Sequence, residues 1–198
     1  MLDNARSRGI VGVVVNPVAR GLLRIGLTPS AVTILGSLGA VVVSVLCIAQ
    51  GRFVTAGLLM IPLAGADLLD GTMARLSNTV SPWGSFLDST TDRITDGAIF
   101  GAFVWWAVDH DRRLAVAGLV ALTAGFVTSY ARAKAESLGI ECKVGIAERA
   151  ERVAGMIGAA GFWALGVPYL LPAMFYTIAF ASCITVWQRM ALVHRTLA

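Results

Sequence analysis

Apolar positions run along this chain in six long blocks, about 29–50, 54–75, 84–108, 113–135, 150–167 and 169–192, with short polar interruptions between them. Each block approaches the roughly 20 residues that an α-helix needs to cross a bilayer. The pattern predicts six transmembrane helices that take up most of the chain and leave no room for a separate soluble domain. The first 27 residues follow another rhythm. In "MLDNARSRGIVGVVVNPVARGLLRIGL", Leu2, Ile10, Val13, Val14, Leu22 and Leu23 alternate with Arg6, Arg8, Arg20 and Arg24. That suits an amphipathic helix lying on a membrane surface, with a break near Asn16-Pro17. No small-residue cleavage site closes a clean apolar core there, as a signal peptide would need. The expected fold is an all-α integral membrane protein of one domain, residues 1–198. A juxtamembrane surface helix over 1–27 precedes a six-helix bundle over 28–198.

Composition supports the membrane reading. The chain is 57% hydrophobic and 14% charged, with a mean hydropathy of +0.75, whereas soluble domains carry about 25% charged residues. Charge also sets an orientation. With six spans both termini share a side, and of the sixteen Lys and Arg only Arg52, Arg112 and Arg113 fall in loops on the other. Basic residues stay on the cytoplasmic side. The termini, the segment near 75–93 and the basic segment 132–152 are therefore expected to face the cytoplasm from the plasma membrane. The net charge of +4 suits attraction to anionic membrane lipids. Nucleic acid is not an expected partner, because no basic stripe with interleaved aromatics occurs. Cys47, Cys142 and Cys183 make neither a disulfide framework nor a zinc site.

The chemistry is concentrated in "DLLDGTMARLSNTVSPWGSFLDSTTD", residues 67–92. Carboxylates inside a bilayer cost about 2.5–3.5 kcal/mol each on insertion scales, yet this stretch between apolar runs holds four. Asp67 and Asp70 are three apart and share a helix face with Gly71 and Ala74, and Arg75 stands at its edge. Gly84, Asp88 and Asp92 are spaced four and four, a second stripe in which a small residue again precedes two carboxylates. Ser77, Asn78, Thr79, Ser81 and Pro82 turn the chain between the two helices. Facing carboxylates cannot all stay ionised without compensation. An all-oxygen set points to magnesium, manganese or calcium rather than zinc. Four carboxylates around two metals suit phosphoryl chemistry, and Arg75 suits a phosphate oxygen. Asp96, one turn beyond Asp92, is expected to make a packing contact with Arg93 or a neighbouring helix.

These eight positions, Asp67, Asp70, Gly71, Ala74, Arg75, Gly84, Asp88 and Asp92, resemble at every gap the signature of the CDP-alcohol phosphotransferases. The layout of six spans after a surface helix is similar too. The resemblance implies a homodimeric membrane enzyme that moves a phosphatidyl-type group from a CDP-linked donor to an alcohol and releases CMP. It implies two Mg2+ ions per active site, with Mn2+ an alternative, one held by Asp67, Asp70 and Asp88 and the other by Asp67, Asp88 and Asp92. Gly71 and Ala74 would make room for the nucleotide of CDP-diacylglycerol, Arg75 would grip its diphosphate and Gly84 would allow close approach. Asp92 would be the general base.

The acceptor is read from "SYARAKAESLGIECKVGIAERAERVAG", residues 129–155. Ser129 and Arg132 share one helical face and Arg149 and Arg152 another, while Arg189 stands near the end of the sixth span. With Lys134 they suggest a site for a phosphate monoester, with Arg152 and Arg189 as the main clamp, Arg132 helping and Lys134 pointing away from that face. Within the family, "NPVARGLLRIGLTPSAVTILG", "FLDSTTDRITDGAIFGAFVWW" and "SYARAKAES" are most similar to the actinobacterial phosphatidylinositol-phosphate synthases, which implies inositol 1-phosphate as acceptor. A phosphatidylglycerol-phosphate synthase using glycerol 3-phosphate stays open, since the spacing of charges does not separate the two. A membrane prenyltransferase also uses aspartates and magnesium but has no place for the Gly71, Ala74, Arg75 set. A divalent-cation transporter would carry its carboxylates along a path near the bilayer midplane.

Overall fold

A computed structural model describes residues 15–197, and the part of the expected surface helix before residue 15 lies outside them. Among the described residues every regular element is helical. Among the described residues helix α1 covers 15–24. It is followed by α2 (Pro29–Val43), a π-helical turn (Ser44–Ile48), α3 (Phe53–Leu76), α4 (Pro82–Val108), α5 (Arg112–Ser137), α6 (Arg149–Ala164) and α7 (Leu170–Leu197).

Among the described residues four segments are long and apolar enough to cross a membrane: Pro29–Ile48, Phe53–Leu76, Arg112–Ser137 and Leu170–Leu197. The other two expected spans, α4 and α6, fall short of these four by length or by composition. Helix α6 has only 16 residues, about 24 Å at 1.5 Å per residue, short of a hydrocarbon core about 30 Å thick. Helix α4 has ample length, 27 residues, but carries Asp88, Asp92, Arg93 and Asp96 along its way to the middle.

Local signals account for the helix ends. Asn78 adopts a left-handed backbone, φ 54°, and Thr79 N–H then returns to the Ala74 carbonyl at 2.9 Å, closing α3. Three residues on, Ser81 Oγ accepts from Gly84 N–H at 3.1 Å and Pro82 takes the first helical position, where no N–H is missed. The turn that separates the two acidic stripes is thus written in Asn78, Ser81 and Pro82. Asp111 accepts from Arg113 N–H at 2.8 Å to start α5. Glu148 and Glu151 form a capping box that starts α6.

The chain divides into two compact units, one built from the residues up to Val42 with Leu58–Thr95, the other from Val43–Gly57 with Asp96 onward. In the first, α2 and α3 run antiparallel along a seam of small residues. A Cβ on Gly36 would sit 2.8 Å from Ala66 Cβ, and one on Gly39 would sit 2.7 Å from a Leu63 methyl. Small residues of this kind let helix backbones approach in a membrane, where lipid gives apolar side chains no reason to cluster. Ala19, Val32, Ala66 and Met73 form its buried core, with Leu22, Leu23, Leu27 and Leu69 against it, while Arg20 and Arg24 are exposed.

The second unit is centred on aromatic rings. Phe53 stacks on Phe103 at 5.7 Å and meets Trp106 and Trp163 edge-on at 5.0 and 5.7 Å, and Phe103 meets Phe175 edge-on at 6.1 Å. Such geometries suit the ring quadrupoles. Helix α5 buries Ala115, Ala117, Gly118, Ala121, Ala124 and Gly125 and packs along α7. A Cβ on Gly118 would lie 2.8 Å from Val104 and 3.0 Å from Phe175.

Candidate metal centre and basic cluster

Two helices of the first unit bring the acidic residues together. Asp67 and Asp70 come from the last turns of α3 and Asp88 from the second turn of α4, and one carboxylate oxygen of each lies within 4.8 Å of the others. Asp67 and Asp88 are exposed, whereas Asp70 is buried. Its carboxylate accepts a hydrogen bond from Thr33 Oγ1 of α2 at 2.5 Å. Three hard oxygen donors at this spacing fit a divalent cation of the magnesium or manganese type. Asp92 stands outside that triple. It is half-buried, and Arg93 Nη2 lies 3.5 Å from its Oδ2.

The small residues stand where the acidic stripes require them. Arg75 donates to Thr72 Oγ1 at 3.2 Å, and its guanidinium folds over Gly71, where a Cβ would stand 3.7 Å from Nη1. An exposed arginine over a bare stretch of backbone leaves room for a phosphate-bearing ligand. Gly84 sits at the start of α4 with only Ser81 Oγ within 4 Å of its added Cβ.

The basic residues belong to the second unit, and burial sorts them. Arg152 and Arg189 are 3% and 4% exposed, so both are core residues. Arg149 Nε donates to Asp96 Oδ1 at 3.0 Å, and Arg152 Nη2 lies 3.7 Å from Asp96 Oδ2. Arg152 also donates to the Ala147 carbonyl at 3.0 Å and rests on Gly125, where a Cβ would lie 3.5 Å from its guanidinium. Arg189 donates to the carbonyls of Val144 and Thr128 at 2.9 and 2.8 Å, so both its hydrogen bonds end on neutral groups. Arg132 is exposed and bonds Glu136 at 2.8 Å one turn along its own helix. Lys134 is exposed on α5, and Ser129 Oγ is turned back to the Gly125 carbonyl at 3.2 Å.

Asp96 thus meets two arginines of α6, and Arg93 lies beside Asp92. Sequence reading missed Thr33 and Thr185. Thr185 is fully buried and accepts from the N–H groups of Ile146 and Ala147 at 3.2 and 3.1 Å, which ties the loop before α6 to α7. Its signal was only a polar residue in an apolar helix. In that loop Glu141 pairs with Lys143, which holds the Glu141 carboxyl below its ordinary range.

A helical membrane protein with converging carboxylates on two glycine-bearing helices, and an arginine folded over one of them, has the site of a phosphate-handling membrane enzyme. The sequence profile of the CDP-alcohol phosphatidyltransferases matches residues 26–191, and the chain belongs to that family. It is 42% identical to the phosphatidylinositol phosphate synthase of Cutibacterium acnes over 92% of this chain and 93% of that one. It is 38% identical to that of Streptomyces avermitilis over 97% of this chain and 82% of that one. The crystal structure of the Mycobacterium tuberculosis phosphatidylinositol phosphate synthase with CDP-DAG bound is similar at a TM-score of 0.87, with 37% identity over 91% of this chain and 93% of that chain. The same enzyme in complex with manganese and citrate is similar at 0.87, over 91% and 88%.

Proposed function

We propose that this chain transfers the phosphatidyl group of CDP-diacylglycerol to a hydroxyl of inositol 1-phosphate, giving phosphatidylinositol phosphate and CMP. The convergence of Asp67, Asp70 and Asp88 carries the transferase reading, and relatives of the same name support it at 36–42% identity. Arg189 supports a phosphorylated acceptor. A buried guanidinium whose hydrogen bonds end on carbonyls has no carboxylate bonded to it, which suits an incoming anion.

Asp67, Asp70 and Asp88 would hold one divalent ion and Asp67, Asp88 and Asp92 a second, with Mg2+ as the expected ion and Mn2+ as an alternative. When bound, the ions supply charge that offsets the transferred phosphate and the departing CMP. Arg75 grips the diphosphate of the donor across Gly71, with Ala74 and Gly84 keeping the surroundings small. Asp92 takes the proton of the attacking hydroxyl as its oxygen bonds to the phosphatidyl phosphorus and the bond to CMP breaks. Arg189 and Arg152 hold the acceptor's phosphate, with Arg149, Arg132, Lys134 and Ser129 around them.

The protein acts as one membrane domain and as a homodimer, with α4 and α6 completing six spans and α1 lying at the membrane surface. The site and both termini face the cytoplasm from the plasma membrane. Thirteen of the sixteen basic residues fall on that side of a six-span layout.

The test is CMP release from CDP-diacylglycerol by purified protein, with magnesium or with a chelator, against inositol 1-phosphate, free inositol and glycerol 3-phosphate. Release with inositol 1-phosphate and magnesium is expected. Release with glycerol 3-phosphate alone would make the chain a phosphatidylglycerol-phosphate synthase, and no release with any acceptor would return the aspartates to cation transport.

A further inference from the structure

We infer that Thr33 is a positioning residue for the metal centre, holding the carboxylate of Asp70 in the orientation in which it binds the ion. This rests on the proposed reading of Asp70 as a metal ligand. Thr33 Oγ1 lies 2.5 Å from Asp70 Oδ2 and 3.2 Å from the Pro29 carbonyl. A hydroxyl has one proton to give. The Pro29 carbonyl is four residues back on the same helix and can take the Thr33 N–H in the helical ladder, so it has no need of the hydroxyl. The proton goes to the carboxylate, the nearer and charged acceptor.

The bond is a product of tertiary packing. Thr33 and Asp70 stand 37 residues apart, and their meeting follows from the α2–α3 register. Going up α2, Thr33, Gly36 and Gly39 meet Asp70, Ala66 and Leu63 in turn, descending α3. The missing side chains at Gly36 and Gly39 allow the backbones to approach closely enough for a short threonine to reach across. Both partners are 7% exposed, and in so dry a place a charge-assisted bond is stronger than in water.

Asp70 differs in burial from the other two members of the triple. Asp67 and Asp88 are exposed, whereas Asp70 is buried. A buried carboxylate with one oxygen tied is fixed about its last torsion, so one member of the cluster stands ready before an ion arrives. Groups that orient a ligand without touching the ion are worth about 10- to 100-fold in metal affinity.

The experiment is Mn2+ binding to the full-length protein in detergent, read by electron paramagnetic resonance of the free ion, for the parent, Thr33→Val, Thr33→Ala, Thr33→Ser and Asp70→Asn. Each variant is first checked for its thermal transition. Thr33→Val keeps the shape and removes the proton, so its Mn2+ affinity falls by about tenfold or more, and the Mn2+ concentration giving half-maximal CMP release rises by the same factor. Thr33→Ser, which keeps the hydroxyl, stays near the parent. Thr33→Ala gives the same comparison should the valine fail to fold. If Asp70→Asn loses Mn2+ while Thr33→Val and Thr33→Ala bind like the parent, the positioning role is overturned and the metal site stands. If Thr33→Ser weakens binding as much as Thr33→Val, packing is responsible and the role is again overturned. If Asp70→Asn itself binds Mn2+ like the parent, Asp70 is no ligand, and both ideas fall.

Discussion

Arg149 reaches Asp96 across 53 residues of sequence at 3.0 Å, and Arg152, one turn further along α6, lies 3.7 Å from the other carboxylate oxygen. One aspartate of α4 thus answers two cations of α6. Charges in a membrane protein interior are kept only when paired or used, and this pairing divides the basic cluster. Arg149 and Arg152 have a carboxylate within reach, whereas Arg189 has carbonyls alone.

That division gives the acceptor prediction. Arg189→Ala should raise the acceptor's KM by about tenfold to a hundredfold, since a charge-assisted hydrogen bond is worth about 1.5–3 kcal/mol. The KM for CDP-diacylglycerol should hardly change. Paired titrations of the two substrates check it, and a shift in the donor's KM alone would assign Arg189 to the lipid donor.

For Asp96 the expected loss is mainly of stability. Asp96→Ala leaves Arg152 buried without its carboxylate, and breaking a buried pair costs about 3–5 kcal/mol. The thermal transition in detergent should drop well below that of an exposed control such as Arg132→Ala, whose pair with Glu136 is solvated and worth no more than about 1 kcal/mol.

Asp92→Asn should lower turnover by about 10²–10⁴ while CDP-diacylglycerol still binds, because an amide keeps the shape but cannot accept a proton. Single-turnover CMP release beside donor binding measures both. Activity within about tenfold of the parent would remove Asp92 from the role of base.

Gly36→Val should weaken both the fold and the metal centre. A Cβ at this position already falls 2.8 Å from Ala66 Cβ, and overpacking of this kind costs about 1–3 kcal/mol. Separating α2 from α3 also draws Thr33 away from Asp70. A lower thermal transition together with weaker Mn2+ binding is the expected result.

Orientation can be measured directly. A cysteine introduced in the 76–82 connector should react with an impermeant maleimide only from the cytoplasmic side, and one in the 109–111 loop only from outside. Reversed labelling would invert the topology.

Several features were legible in the sequence because they are local. Asp67 and Asp70 share a face through the helix repeat alone, as do Asp88 and Asp92. Asn78, Ser81 and Pro82 announce the turn between the two helices through backbone preferences that need no partner. Hydropathy was less decisive for α6, a helix of 16 residues with its charges in the first turn, because the short apolar run after them looks the same whether it spans a bilayer or packs inside a bundle.

By itself, then, the sequence determined a helical membrane protein, the places where its helices end, and which carboxylates share a helix face, since each of these depends on residues a few positions apart. Tertiary structure alone decided that Asp67, Asp70 and Asp88 converge while Asp92 stands aside, that Thr33 reaches Asp70, that Asp96 answers Arg149 and Arg152, and that Arg189 is buried on the carbonyls of Val144 and Thr128. These relationships join residues as much as 61 positions apart. They depend on how far one helix slides along another, and that register is set by the close packing of small residues such as Gly36 against Ala66, which no local pattern of apolar and polar positions encodes.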